Sequence, residues 1–167
     1  MNDNKTQKTH LPFFGVGPYY VFGAFALTAL CIWLSVSGLV NSFKAEQYQT
    51  AAYIIGGVFA AFGLSLWIAA IVGSKIMSKI AHNQLVISGV YSLTRNPIYS
   101  AAWFICTGAC VAANDLWLIA VPFVLWLALT ILMKRTEEKW LLDLYGEQYV
   151  EYCRHVNRCI PFFHLRK

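Results

Sequence analysis

The stretch GVYSLTRNPIYS, residues 89–100, places an arginine, an asparagine and a proline directly before an uncharged apolar run. Asparagine is a preferred N-cap residue and proline is favoured at the first position of a helix, so a helix start alone would explain Asn96 and Pro97. Arg95 beside the N–H groups of a helix start would also bind a carboxylate or a phosphate. The stretch therefore indicates either an ordinary helix cap or an anion-binding site.

Two tyrosines flank this arginine. Tyrosines at the ends of membrane-spanning helices are commonly interface residues, and we favour that interpretation for Tyr99. Tyr91 comes four residues before Arg95 in a segment without regular periodicity, so its ring is the better candidate to face the site.

Glu137 and Glu138 form a second polar cluster soon after the last apolar run. Two adjacent carboxylates near a bilayer are costly unless they are solvated, paired or functional. Lys134, Arg135 and Lys139 are close enough in sequence to pair with them at a solvated helix start. The alternative is a carboxylate site for a cationic ligand.

Both clusters lie at the ends of long apolar segments, in a chain of 167 residues that is 58% hydrophobic and only 13% charged. The apolar runs are Tyr19–Val40, Ala51–Gly73, Ile98–Ala113 and Leu116–Met133. A helix needs about 20 apolar residues to cross a membrane, which the first two runs exceed and the last two approach. Asn114 and Asp115 supply a turn between the last two. The sequence predicts an all-α polytopic membrane protein with about four transmembrane helices, the last two forming a tight hairpin.

Small residues at four-residue spacing, Gly56 with Ala60 and Gly57 with Ala61, predict close packing of the second span against another helix. After residue 133 the pattern predicts two amphipathic helices that lie at the membrane interface, with Gly146 ending the first. Their expected apolar faces are Trp140, Leu141, Leu144 and Tyr145 in the first helix, and Tyr149, Tyr152, Cys153 and Val156 in the second.

The basic residues predict the orientation. They cluster in the N-terminal tail (Lys5, Lys8), in the segment 74–97 (Lys75, Lys79, Arg95) and after residue 133 (Lys134, Arg135, Lys139, Arg154, Arg158, Arg166, Lys167). Four crossings with both termini in the cytoplasm put these segments on one side, as expected of a multi-pass protein of a bacterial cytoplasmic membrane. The net charge of +5 then serves contact with anionic membrane lipids, and no pattern favours nucleic acid.

Several other classes of site are not indicated. Cys31, Cys106 and Cys110 lie inside apolar runs without a second ligand pair, so we predict neither a metal site nor a disulfide. The absence of repeats and linkers predicts a single integral membrane domain, 1–167. Residues 1–73 supply two plain spans, and residues 74–167 carry the polar clusters.

Two separated motifs carry a resemblance to a known family. The first reads G-x-Y-x-x-x-R-x-P-x-Y from residue 89, and the second reads E-E at residue 137, then G-x-x-Y-x-x-Y and a terminal R-x-x-P. Together they resemble the superfamily of isoprenylcysteine carboxyl methyltransferases and phospholipid N-methyltransferases over residues 82–163. These are integral membrane enzymes that use S-adenosylmethionine.

The resemblance implies a cofactor pocket formed by the first motif, the residues before it and the paired glutamates. The implied cofactor-binding residues are Gln84, Leu85, Val86, Tyr91, Arg95, Asn96, Pro97, Glu137 and Glu138. No residue is implied as a covalent catalyst. The expected activity is methyl transfer from S-adenosylmethionine to a lipid-soluble acceptor of isoprenylcysteine carboxyl or phospholipid amine type.

The chain departs from the family pattern at two positions. Asn96 stands where the motif often has histidine, so an acid or base role is lost there. Met133 stands where some members have an arginine that serves the substrate, with Lys134 and Arg135 beside it. We take Arg135 as the candidate substrate-binding residue.

Two alternatives to a methyltransferase are a non-catalytic membrane protein, such as a small exporter or assembly subunit, and a nicotinamide-dependent membrane reductase of related fold. A transporter predicts an ionisable residue deep within a span, and the four apolar runs contain none. A reductase would need more basic residues for the additional phosphates of its cofactor. An inactive relative of the family is also compatible with Asn96.

Overall fold

The computed structural model describes residues 15–72 and 84–161. Helices of this part are α1 (Gly17–Ser37), α2 (Gln49–Val72), α3 (Pro97–Ala112), α4 (Ala120–Arg135), α5 (Glu137–Tyr145) and α6 (Glu147–His155). Short 3-10 turns cover Glu46–Tyr48, Gly89–Ser92 and Leu116–Ile119. No strand occurs within these two ranges, where the only β-type contact is an isolated bridge between Lys44 and Asp115. The prediction of an all-α fold is confirmed.

Three helical stretches are long and apolar enough to cross a membrane, namely Gly17–Ser37, Glu46–Val72 and Leu116–Tyr145. The fourth apolar helix, α3, has 16 residues and spans about 24 Å at 1.5 Å per residue. The predicted four apolar segments therefore all form helices. The first ends earlier than predicted because Gly38 takes a left-handed φ of 75°.

The four long helices run in alternating directions. The chain therefore has a polar end, where residues 89–100 meet the end of α4, and a turn end, where residues 113–119 join α3 to α4. Asn114 has a φ of 52°, a left-handed conformation that asparagine tolerates and that allows the predicted hairpin turn. α1 begins at the polar end, and the loop between α1 and α2 contacts the turn end through the Lys44–Asp115 bridge.

Close packing joins α2 to α3. A Cβ atom at Gly56 would lie 2.5 Å from the carbonyl oxygen of Gly108, and one at Gly63 would lie 2.7 Å from the carbonyl oxygen of Ala101. Gly56 and Ala60 therefore form the contact that their spacing predicts. The prediction is wrong for Gly57, which has no neighbouring atom within 4 Å of a built Cβ.

The core lies between α1, α3 and α4. Leu118, Leu129 and Met133 are fully buried there, and Cys106 of α3 packs against them. Many other large apolar side chains are exposed, as expected for helices that face lipid.

Asp115 organises the turn end. Its carboxylate is buried and accepts hydrogen bonds from Ser35 Oγ, Ser42 Oγ, Phe43 N–H and Trp117 Nε1. Burial raises the pKa of this carboxyl, but the four hydrogen bonds together outweigh burial and hold the pKa below its ordinary value. The ionised carboxylate thus ties the α1–α2 loop to the hairpin turn.

Both predicted C-terminal helices are present, and their predicted apolar faces are at least half-buried. Tyr149 is the most buried of these residues, with 4% exposure. Gly146 separates α5 from α6 with a φ of 52°, which confirms its predicted position. The location of these helices at a membrane interface stays a prediction.

Candidate functional site

The loop before α3 forms one side of the site. Gly89 has a φ of 65° and begins the 3-10 turn, and Ser92 Oγ closes it by donating to the Gly89 carbonyl over 2.7 Å. The turn buries Tyr91 to 8% exposure. Burial raises the pKa of Tyr91 and the nearby charge of Glu137 adds to the effect, so this phenol is neutral at physiological pH.

A C-terminal strap, residues 157–159, closes over this loop. Thr94 Oγ1 and Asn96 Nδ2 donate to the Arg158 carbonyl oxygen over 3.1 and 3.0 Å, and Arg95 N–H donates to the Asn157 carbonyl oxygen over 2.9 Å. Pro97 is at the first position of α3, as predicted. The predicted cap is wrong in its side chain, because Asn96 makes no capping hydrogen bond and is used to hold the strap.

Arg95, Glu138 and Arg158 form an arginine–glutamate cluster. Arg158 binds the Glu138 carboxylate through Nε and Nη2, at 2.5 and 2.8 Å, and Arg95 Nη1 lies 3.2 Å from Glu138 Oε1. The hydrogen bond to Glu138 is the main cause that raises the pKa of Arg158. Glu138 is thus paired with distant arginines and not, as one interpretation had it, with the neighbouring cations of a solvated helix start.

The cluster has unused capacity for an anion. Two guanidinium groups and one carboxylate leave one net positive charge, and the Arg95 and Glu138 side chains are only 10% and 14% exposed. Arg95 Nε is buried and has no hydrogen-bond partner within the described part of the chain. An unpaired guanidinium N–H in such a place is costly, so a ligand that accepts from it would be bound favourably.

Glu137 is held by different groups. Tyr99 OH donates to its Oε1 over 2.6 Å, and Val16 N–H donates to the same oxygen over 3.3 Å. The Tyr99 hydroxyl is thus directed to a carboxylate of the site, while the position of this residue relative to a membrane interface stays a prediction.

The sixth helix closes the site from the side. Tyr152 OH donates to the Tyr91 carbonyl oxygen, and Arg95 Nη1 donates to Tyr149 OH over 3.5 Å and to the Cys153 sulfur. Burial raises the pKa of both Tyr149 and Tyr152. These contacts surround the arginine with two phenol groups and a sulfur atom, which exclude water from its charge.

The structure brings most of the residues implied by the resemblance together, but not all of them. Val86 is buried, whereas Leu85 is half-buried and Gln84 is exposed. Arg135 is exposed at the end of α4, and the arginines that reach Glu138 are Arg95 and Arg158. The terminal R-x-x-P motif was the available signal for Arg158. Nothing in the apolar run of α1 indicated that its first turn would contact Glu137.

A cavity of about 640 Å³ lies between α2, the second half of α3 and the turn end. Its lining is mainly apolar and includes Ala51, Ile55, Trp103 and Val111. Of the lining residues on α3, Trp103 is the nearest in sequence to the polar end and follows Tyr99 by four residues, about one helical turn.

The five cysteines are free. Burial raises the pKa of Cys159 to about 11, which makes it a poor nucleophile. Residues 15–72 and 84–161 contain no group of three or more potential metal ligands.

Comparisons with known proteins identify the family of the chain. The model of the phospholipid methyltransferase family matches residues 52–148, more than half of the chain. The chain is 35% identical over 85 residues to protein-S-isoprenylcysteine O-methyltransferase of Saccharomyces cerevisiae. This match covers 50% of this chain and 35% of that protein. It is also 35% identical over 85 residues to protein-S-isoprenylcysteine O-methyltransferase B of Arabidopsis thaliana. This second match covers 48% of this chain and 41% of that protein. The chain thus spans well under half the length of these relatives. No solved structure gives a significant match.

Proposed function

The chain belongs to the phospholipid methyltransferase family, and on that premise we propose that it transfers a methyl group from S-adenosylmethionine to a membrane-embedded acceptor. The relatives are named for an S-isoprenylcysteine acceptor and the family for phospholipids. The acceptor class that both share is a nucleophile attached to a hydrocarbon chain. When bound, S-adenosylmethionine supplies a methyl group that is activated by a sulfonium cation.

The observation that carries the proposal is the buried, unpartnered Nε of Arg95 in a cluster with excess positive charge. The amino-acid end of S-adenosylmethionine has a carboxylate and an ammonium. Arg95 offers the carboxylate a free N–H, and Glu137, adjacent in sequence to Glu138, offers the ammonium a negative charge. The residues therefore fit a zwitterionic group, and buried charge-assisted hydrogen bonds of this kind are strong.

Other residues would orient the rest of the cofactor. Tyr91 is a buried neutral phenol near Glu137, and an aromatic ring binds a cation such as a sulfonium favourably. Tyr149 and Tyr152 cover the arginine and exclude water, which strengthens every charge interaction in the site. Catalysis by this chain would then depend on positioning the two reactants in a dry site, without a covalent step on the protein.

The cavity between α2 and α3 supports a hydrocarbon-linked acceptor. Its lining is mainly apolar and includes Trp103 of α3, one turn from Tyr99. We assign it to the hydrocarbon part of the acceptor, with the reacting group directed towards the polar end.

The basic residues support a cytoplasmic location of the polar end. Among the described residues, Lys44 is the basic residue of the turn end, whereas Arg95, Arg158 and the cations that follow α4 are at the polar end. Cytoplasmic segments are enriched in lysine and arginine, which agrees with the predicted orientation. Lys5, Lys8, Lys75, Lys79, Arg166 and Lys167, which contribute to that prediction, lie outside the described residues.

The proposal is tested by calorimetric titration of S-adenosylmethionine into the detergent-purified chain. We expect Arg95→Ala to weaken binding about 10- to 100-fold, the value of a charge-assisted hydrogen bond. Arg154→Ala is the matched control, because the Arg154 side chain is 67% exposed and its ion-pair partner among the described residues is Glu151 on its own helix. Thermal unfolding of each variant establishes that it is folded.

The titration has three distinguishable outcomes. Binding by the wild type and by Arg154→Ala, with a loss in Arg95→Ala, supports the proposed cofactor site. A folded wild-type chain that does not bind S-adenosylmethionine would refute the proposed function, and equal binding by all three proteins would place the cofactor elsewhere.

A further inference from the structure

The first turn of α1 contacts the site although neither the sequence motifs nor the family match includes it, since that match begins at residue 52. Val16 N–H and Tyr99 OH donate to the same oxygen, Oε1 of Glu137. The start of α1, the first turn of α3 and the start of α5 thus meet at one carboxylate oxygen. The contact joins residues separated by up to 121 positions in sequence.

Two glycines permit this approach. A Cβ atom at Gly15 would lie 2.6 Å from Glu137 Oε1, and Gly15 has a φ of 50° that disfavours other residues. A Cβ atom at Gly17 would lie 2.7 Å from Tyr99 Cε1. Tyr20, one turn further along α1, meets the Tyr99 ring edge to face at 6.0 Å. A side chain at either glycine would therefore displace α1, the Tyr99 ring or the Glu137 carboxylate from this arrangement.

The two adjacent glutamates differ in how many hydrogen-bond acceptor positions their carboxylates have left for a ligand. Both oxygens of Glu138 are bound by arginine. The hydrogen bonds to Glu137 from Val16 and Tyr99 both end on Oε1, and a carboxylate has further acceptor positions on both oxygens. The positive end of the α1 dipole also favours the negative charge of Glu137. Glu137 is therefore held in position while it keeps the capacity to bind a cation.

We propose that the first turn of α1, together with Tyr99, forms a third wall of the site and positions Glu137 to bind the ammonium of the cofactor's amino-acid end. The inference rests on the proposed function and extends it to a segment outside the family match. Gly15, Val16, Gly17 and Tyr99 are positioning residues, since they act through the carboxylate of Glu137.

The test compares two ligands in the full-length chain by equilibrium dialysis. S-adenosylmethionine carries the ammonium, whereas 5′-methylthioadenosine keeps the nucleoside and lacks the amino-acid end. We expect Gly17→Ala to weaken binding of S-adenosylmethionine about tenfold, since one charge-assisted contact is lost, and to leave binding of 5′-methylthioadenosine unchanged. Gly23→Ala is the matched control on the same helix, because nothing lies within 4 Å of a Cβ atom built at Gly23.

Tyr99→Phe is the second variant, in case Gly17→Ala does not fold. It keeps the ring against which α1 packs and removes the hydroxyl that holds Glu137, so we expect the same selective loss. Equal loss of both ligands would indicate a general structural role and overturn the inference, as would unchanged binding of S-adenosylmethionine by both variants. A wild-type chain that binds neither ligand would instead refute the proposed function itself.

Discussion

At the scale of single residues, Glu137 and Glu138 show how neighbouring carboxylates acquire different roles. Glu138 pairs with the guanidinium groups of Arg95 and Arg158 and joins the strap to the loop. Glu137 accepts from a phenol and a backbone N–H. The sequence marks both as candidate site residues, but it cannot distinguish them, because their partners are 20 to 121 positions away in sequence.

This difference predicts that two conservative substitutions affect different properties, stability for Glu138 and ligand binding for Glu137. Glu138→Gln leaves two arginines side by side without a countercharge, and we expect a loss of roughly 3 kcal/mol in the free energy of unfolding. Glu137→Gln keeps a carbonyl oxygen that can accept from Tyr99 and Val16, so its main effect should be weaker binding of S-adenosylmethionine. Thermal unfolding and ligand titration of both variants in detergent provide the comparison. A Glu137→Gln protein as unstable as Glu138→Gln would contradict these roles.

Asp115 predicts a pH dependence at the turn end. Its pKa is lowered in the folded chain, so the ionised form stabilises the fold above the ordinary carboxyl pKa of about 4 and this contribution is lost as the pH falls through the folded value. Asparagine cannot replace a carboxylate that accepts from four donors. We therefore expect Asp115→Asn to lower the unfolding temperature at neutral pH, with a difference from wild type that shrinks in acid. A constant difference across this range would argue against the ionised carboxylate.

At the scale of elements, hydrophobic run length and turn residues predict most of what is observed. The four apolar runs become helices with ends shifted by a few residues, and Gly146 ends α5 where predicted. Which residues of one helix contact the next helix is harder to predict from the sequence. Gly56 and Gly57 carry equivalent signals, and only the rotation of α2 against α3 decides that Gly56 makes the contact.

That packing gives a prediction with an internal control. Gly108→Ala would place a Cβ atom 2.5 Å from the Gly56 carbonyl oxygen, an overpacking that costs about 1 to 3 kcal/mol. Gly57→Ala meets nothing within 4 Å and should be neutral or stabilising, because alanine is the better helix former. Unfolding of the two variants in the same detergent measures the difference. Equal stability would mean that α2 and α3 do not pack as closely as described.

At the scale of the whole molecule, the site is assembled from the loop before α3, the start of α5, α6 with the strap, and the first turn of α1. Sequence motifs indicated the first two elements and, through the R-x-x-P motif, the strap. The contribution of α1 was missed because a glycine pair before an apolar run has the same composition whether or not another element packs against it. The assignment of residues 1–167 to one domain stays a prediction.

If the cavity holds the acceptor, a substitution in its lining should impair methyl transfer without impairing binding of the cofactor. Ala51→Trp would fill space between α2 and α3, so we expect it to reduce methyl transfer while binding of S-adenosylmethionine is kept. Ala61→Trp is the control, since Ala61 is exposed on the same helix and does not line the cavity. Similar transfer by both variants would remove the cavity from the acceptor route.

The most direct measurement of the central claim is transfer of a radiolabelled methyl group from S-adenosylmethionine to membrane lipid, with the purified chain in membrane vesicles. We predict label in the lipid-soluble fraction with the wild type and with Arg154→Ala, and little label with Arg95→Ala, which removes the free guanidinium N–H. Label that depends on the chain but is undiminished by Arg95→Ala would contradict the assigned site. The absence of label in lipid and protein fractions alike, with vesicles from several sources and a folded chain, would contradict the proposed activity.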